Sequence, residues 1–287
     1  MAITIDSAYV SQFSDNLHTL VREGSSKLMG IFATETARGE KHFFDRLGSF
    51  TASSLSARLQ ATNLQDAPHS RRMASIGRYE ASTYLDKIDS LKMLIDPTND
   101  YARGLADAHG KKFDQVLWAS MLGTAATGVD GTGTQALGAG QQIAHGSAGL
   151  TVAKINQALR IMEVGEVDTD TAQLFLGANG WALEDLFNEE KIINGDYQVQ
   201  KALVSGKVPP FRGINIIKTQ RVPDETAGVT RRAVLFTRDA MKVAMPESLE
   251  VKTAEDMTRN FVPVVSTYMS YGAVRMEEAL VVDILFQ

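Results

Sequence analysis

The stretch Gly131-Thr-Gly-Thr-Gln-Ala-Leu-Gly is the part of the sequence that comes nearest to a phosphate-binding loop. A phosphate cradle lies between a strand and a helix N-terminus, and its nucleotide-binding forms add a Gly-Lys-Ser/Thr ending or a dinucleotide-binding context. Here the stretch follows a predicted helix and contains no lysine. We therefore predict that residues 128–150 form a loop or a domain boundary and bind no phosphate.

Side chains that bind metals or carry out catalysis do not converge in the sequence. The five histidines lack the short pairings that place two imidazoles on one metal, there is no cysteine, and no Gly-x-Ser-x-Gly motif occurs. The carboxylates of Glu184-Asp185 and Glu189-Glu190 are predicted to form a solvated face, although folding can bring distant carboxylates together as an acid and base pair. We predict no catalytic residue, no cofactor and no metal site.

Charge and hydropathy exclude several classes of protein. The chain has 287 residues, of which 29 are basic and 34 acidic, and its formal net charge is -5. This balance does not indicate a protein whose whole surface wraps nucleic acid. No apolar run reaches the ~18 residues of a membrane span, and the first residues lack a signal-peptide pattern. We therefore predict neither a membrane-spanning nor a secreted protein.

A long helix is predicted over residues 97–127. Asp96 can accept hydrogen bonds from the first free amides of the helix, and proline suits the position after it. Apolar residues then recur at three- and four-residue steps, and Gly128 offers a left-handed stop. The predicted helix is about 45 Å long and contains two glycines, at positions 104 and 110. Packing must hold it, because each glycine costs about 1 kcal/mol relative to alanine.

Two segments before this helix are predicted to need a partner surface. Residues 1–40 form an N-terminal arm, with helical apolar spacing as far as residue 35. Residues 41–85 form an extended β-hairpin, in which a first strand at 49–62 turns near Pro68 and a second strand returns near 76–85. An isolated hairpin is marginally stable in water, so we expect both segments to pack against other surfaces.

The rest of the chain alternates between helices and strands. Residues 151–235 are predicted to be an α/β domain whose first helix is capped by Thr151. Between Val274 and Phe286 every even position except Glu278 is apolar, which predicts one continuous strand. An earlier strand, 262–271, is predicted to end at a glycine. We expect these terminal strands to cover the apolar face of the long helix.

This order of parts resembles the major capsid protein of tailed bacteriophages. Ala233-Val-Leu-Phe-Thr-Arg-Asp-Ala-Met-Lys-Val-Ala resembles the family's strand and short turn that lead back from the apical domain. Gly272-Ala-Val-Arg-Met-Glu-Glu-Ala-Leu-Val-Val is similar to its closing strand, without the proline of the Pro-Glu-Ala sequence that many members have. The resemblance implies an α+β fold, the Hong Kong phage capsid fold, which herpesvirus capsid floors and encapsulins share.

The resemblance also implies a division of the chain. Its parts are the arm, 1–40; the extended loop, 41–85; a peripheral domain with the spine helix 97–127, formed by 86–150 and 236–287; and the axial domain, 151–235. Such a subunit is a structural protein without enzymatic activity. It assembles with itself into pentamers and hexamers of an icosahedral shell around the double-stranded DNA of a tailed phage.

Partners and contact residues follow from the same resemblance. The implied partners are a scaffolding protein, a portal, a decoration protein and packaged DNA held by weak non-specific contact, with no membrane, and assembly takes place in the host cytoplasm. Some members join subunits through a lysine of the extended loop, but positions 42–86 contain none, so we expect non-covalent contacts. The candidate intersubunit contacts are Phe50, Leu55, Leu59, Arg71, Arg72 and Arg78. Arg22 and Lys27 are candidates for the inner face near DNA.

Two other functions remain open from the sequence. An encapsulin-like cellular compartment would have the same fold, and a neighbouring gene for a tail, portal or scaffold rather than an enzyme cargo would distinguish the two. An α/β enzyme with the glycine-rich stretch as a lid predicts carboxylates or histidines that converge in one pocket.

Overall fold

We analysed a computed structural model of the chain. The structure describes residues 25–54, 61–62, 64–85, 98–189 and 212–287. The helices of this part of the chain are α1 (Thr98–Leu122), α2 (Val152–Val164) and α3 (Gly180–Asn188). Its strands are β1 (Ala33–Glu35), β2 (Lys41–Leu47), β3 (His69–Ser75), β4 (Gly77–Tyr84), β5 (Ala125–Thr127), β6 (Gly133–Gln135), β7 (Gln142–Ile143), β8 (Leu174–Ala178), β9 (Ile214–Lys218), β10 (Arg231–Thr237), β11 (Met241–Asp256), β12 (Val262–Arg275) and β13 (Val281–Phe286).

The strands form three sheets. The strand orders are β1-β11-β12-β4, β7-β13-β10-β8-β9 and β2-β3-β5-β6. The described residues group into two compact units. The first contains Arg78–Lys112 and Glu247–Ser270, and the second contains Lys27–Gly77, Phe113–Pro246 and Tyr271–Gln287.

Helix α1 is shorter than predicted at its C-terminal end. It ends at Leu122, and β5 occupies residues that the apolar spacing assigned to the helix. The guanidinium of Arg275 donates to the carbonyl oxygens of Met121, at 2.6 Å, and Gly123, at 2.7 Å. These bonds satisfy carbonyl groups that the end of a helix leaves free. Gly128 does adopt a left-handed conformation, with φ of 91°, but it lies in the turn between β5 and β6. The predicted start of the helix, at Asp96 and Pro97, lies outside the described residues.

The C-terminal part of α1 packs into the core of the second unit. Trp118 is fully buried, and its ring packs edge-on against that of Phe236, with 5.7 Å between the ring centroids. It also lies against Gly177, where a Cβ atom would come within 2.3 Å of the indole. The ring of Phe113 packs edge-on against that of Tyr271 on β12, with 4.9 Å between the ring centroids. A terminal strand therefore covers this part of the helix, as predicted, but strands β8 and β10 of the five-stranded sheet cover it too.

The five-stranded sheet confirms the α/β pattern and extends it. Thr151 caps α2 by accepting a hydrogen bond from the backbone N–H of Lys154, as predicted. Ile155, Leu159 and Met162 of α2 are buried in the core of this sheet. The sheet also contains β7 and β13, so it draws on residues that lie on both sides of 151–235.

The predicted continuous strand from Val274 to Phe286 is wrong. The chain forms β12 up to Arg275, turns, and resumes as β13. All six residues of β13 are buried, and three of them, Val282, Ile284 and Phe286, belong to the core that contains the buried face of α2. A strand that is buried on both faces need not alternate, and its polar residue, Asp283, is buried as well. Gly272 does not end a strand; it lies inside β12, where a Cβ atom would be 2.3 Å from the carbonyl oxygen of Ser75.

The hairpin and the arm also differ from their predictions. The first strand of the hairpin is β2, at Lys41–Leu47, and it pairs antiparallel with β3 from Lys41↔Ser75 to Leu47↔His69. Residues 49–54 and 61–62, which were predicted as part of that strand, are irregular, and 55–60 lie outside the described residues. The described end of the arm is not helical: residues 27–32 form turns, and β1 follows. Leu28 and Phe32 are buried there, so apolar spacing reflected burial without a helix.

The glycine-rich stretch has a defined conformation. It contributes β6, a short 3-10 helix at Ala139–Gln141, and β7. The ammonium group of Lys154 donates to three backbone carbonyls, those of His145 at 2.8 Å, Ala148 at 2.9 Å and Leu285 at 3.1 Å. Burial lowers the pKa of Lys154. This one side chain therefore joins the end of the glycine-rich stretch to β13.

Candidate intersubunit surfaces

Residues 47–51 and 64–69, where the chain leaves β2 and returns to β3, form what we call the base of the hairpin. Hydrogen bonds hold this base closed. The backbone N–H of Gly48 donates to the carbonyl of Pro68 at 2.9 Å. The side-chain amide of Gln65 accepts from the backbone N–H of Thr51 at 3.1 Å and donates to its backbone carbonyl and hydroxyl oxygens. These contacts hold the two chain segments together beyond the last pair of the β2–β3 ladder.

Apolar side chains point into solvent along this base. Leu47 is 55% exposed, Phe50 57% and Leu64 88%. Phe50 was predicted as an intersubunit contact, and the structure leaves its ring available for one. Leu55 and Leu59, predicted for the same role, lie outside the described residues.

The three predicted contact arginines have different environments. Arg71 is about half exposed, and its Nε–H donates to Asp45 at 2.6 Å. Arg78, in the first unit, is exposed. Its Nη2 lies 3.8 Å from the carboxylate of Glu250, and its guanidinium carbon lies 4.4 Å from the centroid of the Tyr268 ring. Arg72 is 5% exposed and lies inside the subunit. The prediction of Arg72 as a surface contact is corrected on this point, because its guanidinium is used within the chain.

Arg72 belongs to a network around the turn between β12 and β13. Its Nη2 lies 2.8 and 2.9 Å from the two carboxylate oxygens of Glu278, and its Nε donates to the carbonyl of Met276 at 3.2 Å. Arg275 is fully buried, with its Nε 3.6 Å from Glu278 and its Nη2 donating to the carbonyl of Gln135 at 3.0 Å. Burial lowers the pKa of Arg275, and the Glu278 carboxylate opposes that shift.

A third arginine reaches the same turn from the hairpin. Arg46 on β2 lies 3.3 Å from Glu277, and its Nη1 donates to the carbonyl of Met276 at 3.5 Å. The turn thus receives guanidinium groups from β2, β3 and β12. Because Arg275 also caps α1, the network connects the base of the hairpin with the end of the long helix.

The network borders an open groove. The groove has a volume of about 750 Å³, and its walls are the residues that follow: Asp45, Arg46, His69, Ser70, Arg71, Arg72, Thr127, Gly128, Val129 and Gln135. Three of these side chains are cationic and one is anionic. The groove is therefore a basic concavity at the base of the hairpin.

A second buried charge fixes the described end of the arm. Asp114 on α1 is fully buried and accepts hydrogen bonds from the backbone N–H groups of Lys27, at 3.0 Å, and Leu28, at 3.2 Å. Arg221 also donates to this carboxylate. The side chain of Lys27 is exposed, while Arg22, its predicted companion on the inner face, lies outside the described residues.

Sequence reasoning missed the charged residues that organise these surfaces. Asp114 and Arg275 were not singled out, and Glu278 was noted only as an exception to an alternating pattern. A usable signal existed for Asp114, since it lies between Phe113 and Leu117 on the helix and so shares their buried side. The pairing of Glu278 with Arg72 spans 206 residues, and no local pattern shows such a contact.

In the described part of the chain, no group of three or more His, Cys, Asp or Glu residues is arranged to hold a metal ion. His109 is buried, and its Nε2 is 2.9 Å from the hydroxyl of Thr267. Within the same residues, no helix is long and apolar enough to cross a membrane.

Comparison with solved structures defines the fold. The chain is similar to a structure of Mycobacterium phage Che8, with a TM-score of 0.75 and 15% identity over 96% of each chain. It is also similar to the capsid of Cyanophage P-SCSP1u, with a TM-score of 0.74 and 13% identity over 100% of this chain and 95% of that one. The Cyanophage Pam1 capsid gives a TM-score of 0.74 and 11% identity over 99% and 98%. The fold is that of phage capsid proteins, which confirms the predicted α+β class.

The sequence comparison identifies the family. The chain belongs to the phage capsid protein family, since the family's sequence profile matches residues 5–287. It is therefore a major capsid subunit of a phage, a structural component of the viral capsid. No curated protein matches the chain. The compartment-shell and enzyme alternatives are not favoured.

Proposed function

We propose that this subunit assembles, without enzymatic activity of its own, into an icosahedral shell that encloses the double-stranded DNA of a tailed phage. The observation that carries the proposal is the family match over nearly the whole chain. Many repeated weak contacts make a closed shell far more stable than any single contact. The shell forms in the host cytoplasm with a scaffolding protein, a portal and a decoration protein as partners.

Within this shell we propose four parts with separate roles. The arm is 1–40, the extended loop is 41–85, the axial domain is 151–235, and the peripheral domain is 86–150 with 236–287. Phe50, Leu55, Leu59, Arg71 and Arg78 are the proposed contacts with neighbouring subunits. The exposed apolar side chains beside Phe50 support its role, because burying them against a neighbour removes apolar area from water.

Packaged DNA meets the inner face through weak non-specific contact, and Arg22 and Lys27 are the proposed residues. The exposed side chain of Lys27 supports this assignment. A formal charge of -5 is compatible with confinement of the genome, because a shell need not wrap DNA tightly.

Electron microscopy of the purified protein tests the proposal. We expect ring-shaped capsomers or closed shells, and particles from infected cells should protect double-stranded DNA against nuclease. A well-behaved monomer that never forms either structure, even with the scaffold supplied by the same phage, contradicts the proposal. Shells that enclose an enzyme cargo instead of DNA would support the compartment alternative.

A further inference from the structure

The ammonium group of Lys154 lies among backbone oxygens, and all of its hydrogen-bond donors are used. A lysine ammonium has three N–H donors and no acceptor. Here the donors match the carbonyl oxygens of His145, Ala148 and Leu285, which lie 2.8, 2.9 and 3.1 Å from Nζ. We call these three oxygens the carbonyl cage. Backbone dipoles therefore solvate this positive charge in place of water.

The carbonyl cage is held by backbone contacts that do not involve the lysine side chain. A turn between His145 and Ala148 presents two of the oxygens, because Gly146 and Ser147 both have positive φ, of 57° and 51°. The backbone N–H of Ala148 closes this turn on the carbonyl of His145 at 3.1 Å. The backbone N–H of Gln287 donates to the carbonyl of Ala148 at 3.2 Å, so the turn is also bound to the residue after β13.

Lys154 occupies an unfavourable position for a cation in its own helix. It is the third residue of α2, where the free N–H groups and the helix dipole favour negative charge. Alanine would also have the higher helix propensity there. These rules predict that Lys154→Ala stabilises the subunit. A lysine that stands against them indicates that its ammonium has a separate role.

The dimensions of the carbonyl cage favour one class of ion. Carbonyl oxygens can replace the hydration shell of a potassium ion. Mg²⁺ and Ca²⁺ bind oxygen at shorter distances, about 2.0–2.1 and about 2.3–2.6 Å, than the 2.8–3.1 Å found here. Burial lowers the pKa of Lys154, and the charge of Asp185 opposes this shift, so the surroundings also include a negative charge. The cage therefore suits a large monovalent cation.

We propose that the carbonyl cage is a binding site for a monovalent cation, which the Lys154 ammonium occupies as an ion tethered to the chain. When the lysine side chain is removed, the site takes a free potassium or ammonium ion from solution. The cation, tethered or free, joins the end of the glycine-rich stretch to β13 through the carbonyl of Leu285. This role belongs to the folded subunit and does not require a shell.

Cation rescue of Lys154→Ala tests the proposal. Urea denaturation of the full chain is measured under non-assembling conditions in the chlorides of potassium, ammonium, sodium and tetramethylammonium at equal ionic strength. We expect a lower urea midpoint for Lys154→Ala than for the parent in tetramethylammonium chloride, and potassium or ammonium should restore at least half of the loss. Sodium should restore less, because its shorter contacts with oxygen do not match the cage. The recovery should saturate with concentration, as for a ligand that binds the folded state.

Two variants are matched controls for the rescue. Lys154→Met fills the space of the lysine stem with apolar atoms and carries no charge, so it should lose stability and gain no response to potassium. Lys218→Ala removes an exposed lysine from β9 and should respond to the four salts as the parent does. Comparison with the parent also removes general effects of salt on unfolding.

A measurement on the parent chain does not depend on how the variants fold. Hydrogen-bonded protons that are protected by the folded structure exchange slowly with water. In proton–nitrogen NMR spectra, the ammonium protons of Lys154 should exchange with water at least tenfold more slowly than those of Lys218. Equal rates would mean that the Lys154 ammonium is solvated by water, and would overturn the proposal.

Two outcomes of the rescue experiment also overturn the proposal. If Lys154→Ala is as stable as the parent in every salt, the carbonyl cage does not need a cation. If the variant is less stable or unfolded, and potassium and ammonium restore no more than tetramethylammonium, Lys154 acts only through its own hydrogen bonds and packing. Shell formation is not measured in either case, so the proposed capsid function is unaffected.

Discussion

The buried charges at the β12–β13 turn are unequal in number. Arg72 and Arg275 share the single carboxylate of Glu278, and the described part of the chain supplies the remaining acceptors mainly as backbone carbonyls. A buried guanidinium without its counterion is costly, so Glu278 stabilises two cations at once. Glu277, its neighbour, instead pairs with the partly exposed Arg46. Adjacent glutamates therefore contribute very differently to stability.

Glu278→Gln should lower the free energy of unfolding by about 3 kcal/mol, because it leaves two buried cations without an anion. Glu277→Gln is the matched control and should change it by less than about 1 kcal/mol, as expected for an exposed pair. Urea denaturation of both variants under non-assembling conditions checks the prediction. Equal losses would show that the network does not distinguish the two carboxylates.

Asp283 predicts a dependence of stability on pH. Burial raises the pKa of Asp283, and the hydrogen bond from Gln142 and the charge of Arg232 only partly oppose the shift. The folded state then binds the proton more tightly than the unfolded state. Its favourable contribution is complete below the unfolded pKa, near 3.8, and is lost as the pH rises through the raised folded value.

Asp283→Asn should therefore raise the melting temperature at pH 7, and the gain should shrink as the pH falls toward 4. The amide keeps an oxygen that can accept the Gln142 hydrogen bond at 3.0 Å. Thermal unfolding of the variant and the parent across this pH range checks the sign. A loss of stability at pH 7 would mean that the ion pair with Arg232 outweighs burial.

At the scale of elements, the glycines of the molecule fall into different classes. Gly104 on α1 is exposed, and a Cβ atom there would meet nothing within 4 Å. Gly177 on β8 is required by close packing against Trp118. The first glycine only weakens the helix, whereas the second makes room for the indole.

Gly104→Ala should stabilise the subunit by about 1 kcal/mol through helix propensity. Gly177→Ala should destabilise it by about 1–3 kcal/mol, because the added methyl overlaps the Trp118 ring. Denaturant titration measures both changes. If Gly104→Ala is stable but assembles poorly, the glycine serves to bend α1 during assembly and is not merely tolerated there.

Elements that depend on local sequence were predicted correctly, whereas elements that depend on contacts between distant residues were not. The Thr151 cap and the helix α2 that follows it were predictable from capping and apolar spacing, so the sequence was sufficient there. The end of α1 was not predictable because Arg275, more than 150 residues away, caps it. Alternation missed the turn between β12 and β13 for a related reason, because Arg46 and Arg72, both distant in sequence, bind the carbonyl of Met276 in that turn. At the surfaces, Phe50 and Arg71 were predictable as exposed hairpin residues, while the burial of Arg72 depended on its distant partner.

At the scale of the whole molecule, one group of exposed apolar side chains lies at the base of the hairpin. Leu47, Phe50 and Leu64 are exposed beside the basic groove. Monomers seldom expose contiguous apolar patches unless these mark an interface. Burying these side chains against a neighbour would remove their apolar area from water.

Phe50→Asp should leave the subunit folded and reduce the yield of closed shells at least tenfold, because a charge replaces an apolar contact at every copy of the interface. Circular dichroism monitors folding, and electron microscopy counts shells. Val251→Asp is a control at an equally exposed position, 58%, in the first unit. Unfolding of Phe50→Asp would place the ring in the subunit's own core, and normal shells would remove it from the interface.

The parallel pairing of β1 with β11 also affects how fast the chain folds. Ala33 pairs with Lys242, and Gln142 pairs with Asp283 in the five-stranded sheet. Contacts between residues so distant in sequence close large loops, which slows folding. A newly made chain therefore lacks a finished surface until its late strands are in place. Subunits that are competent for assembly therefore appear only after these long-range pairs have formed.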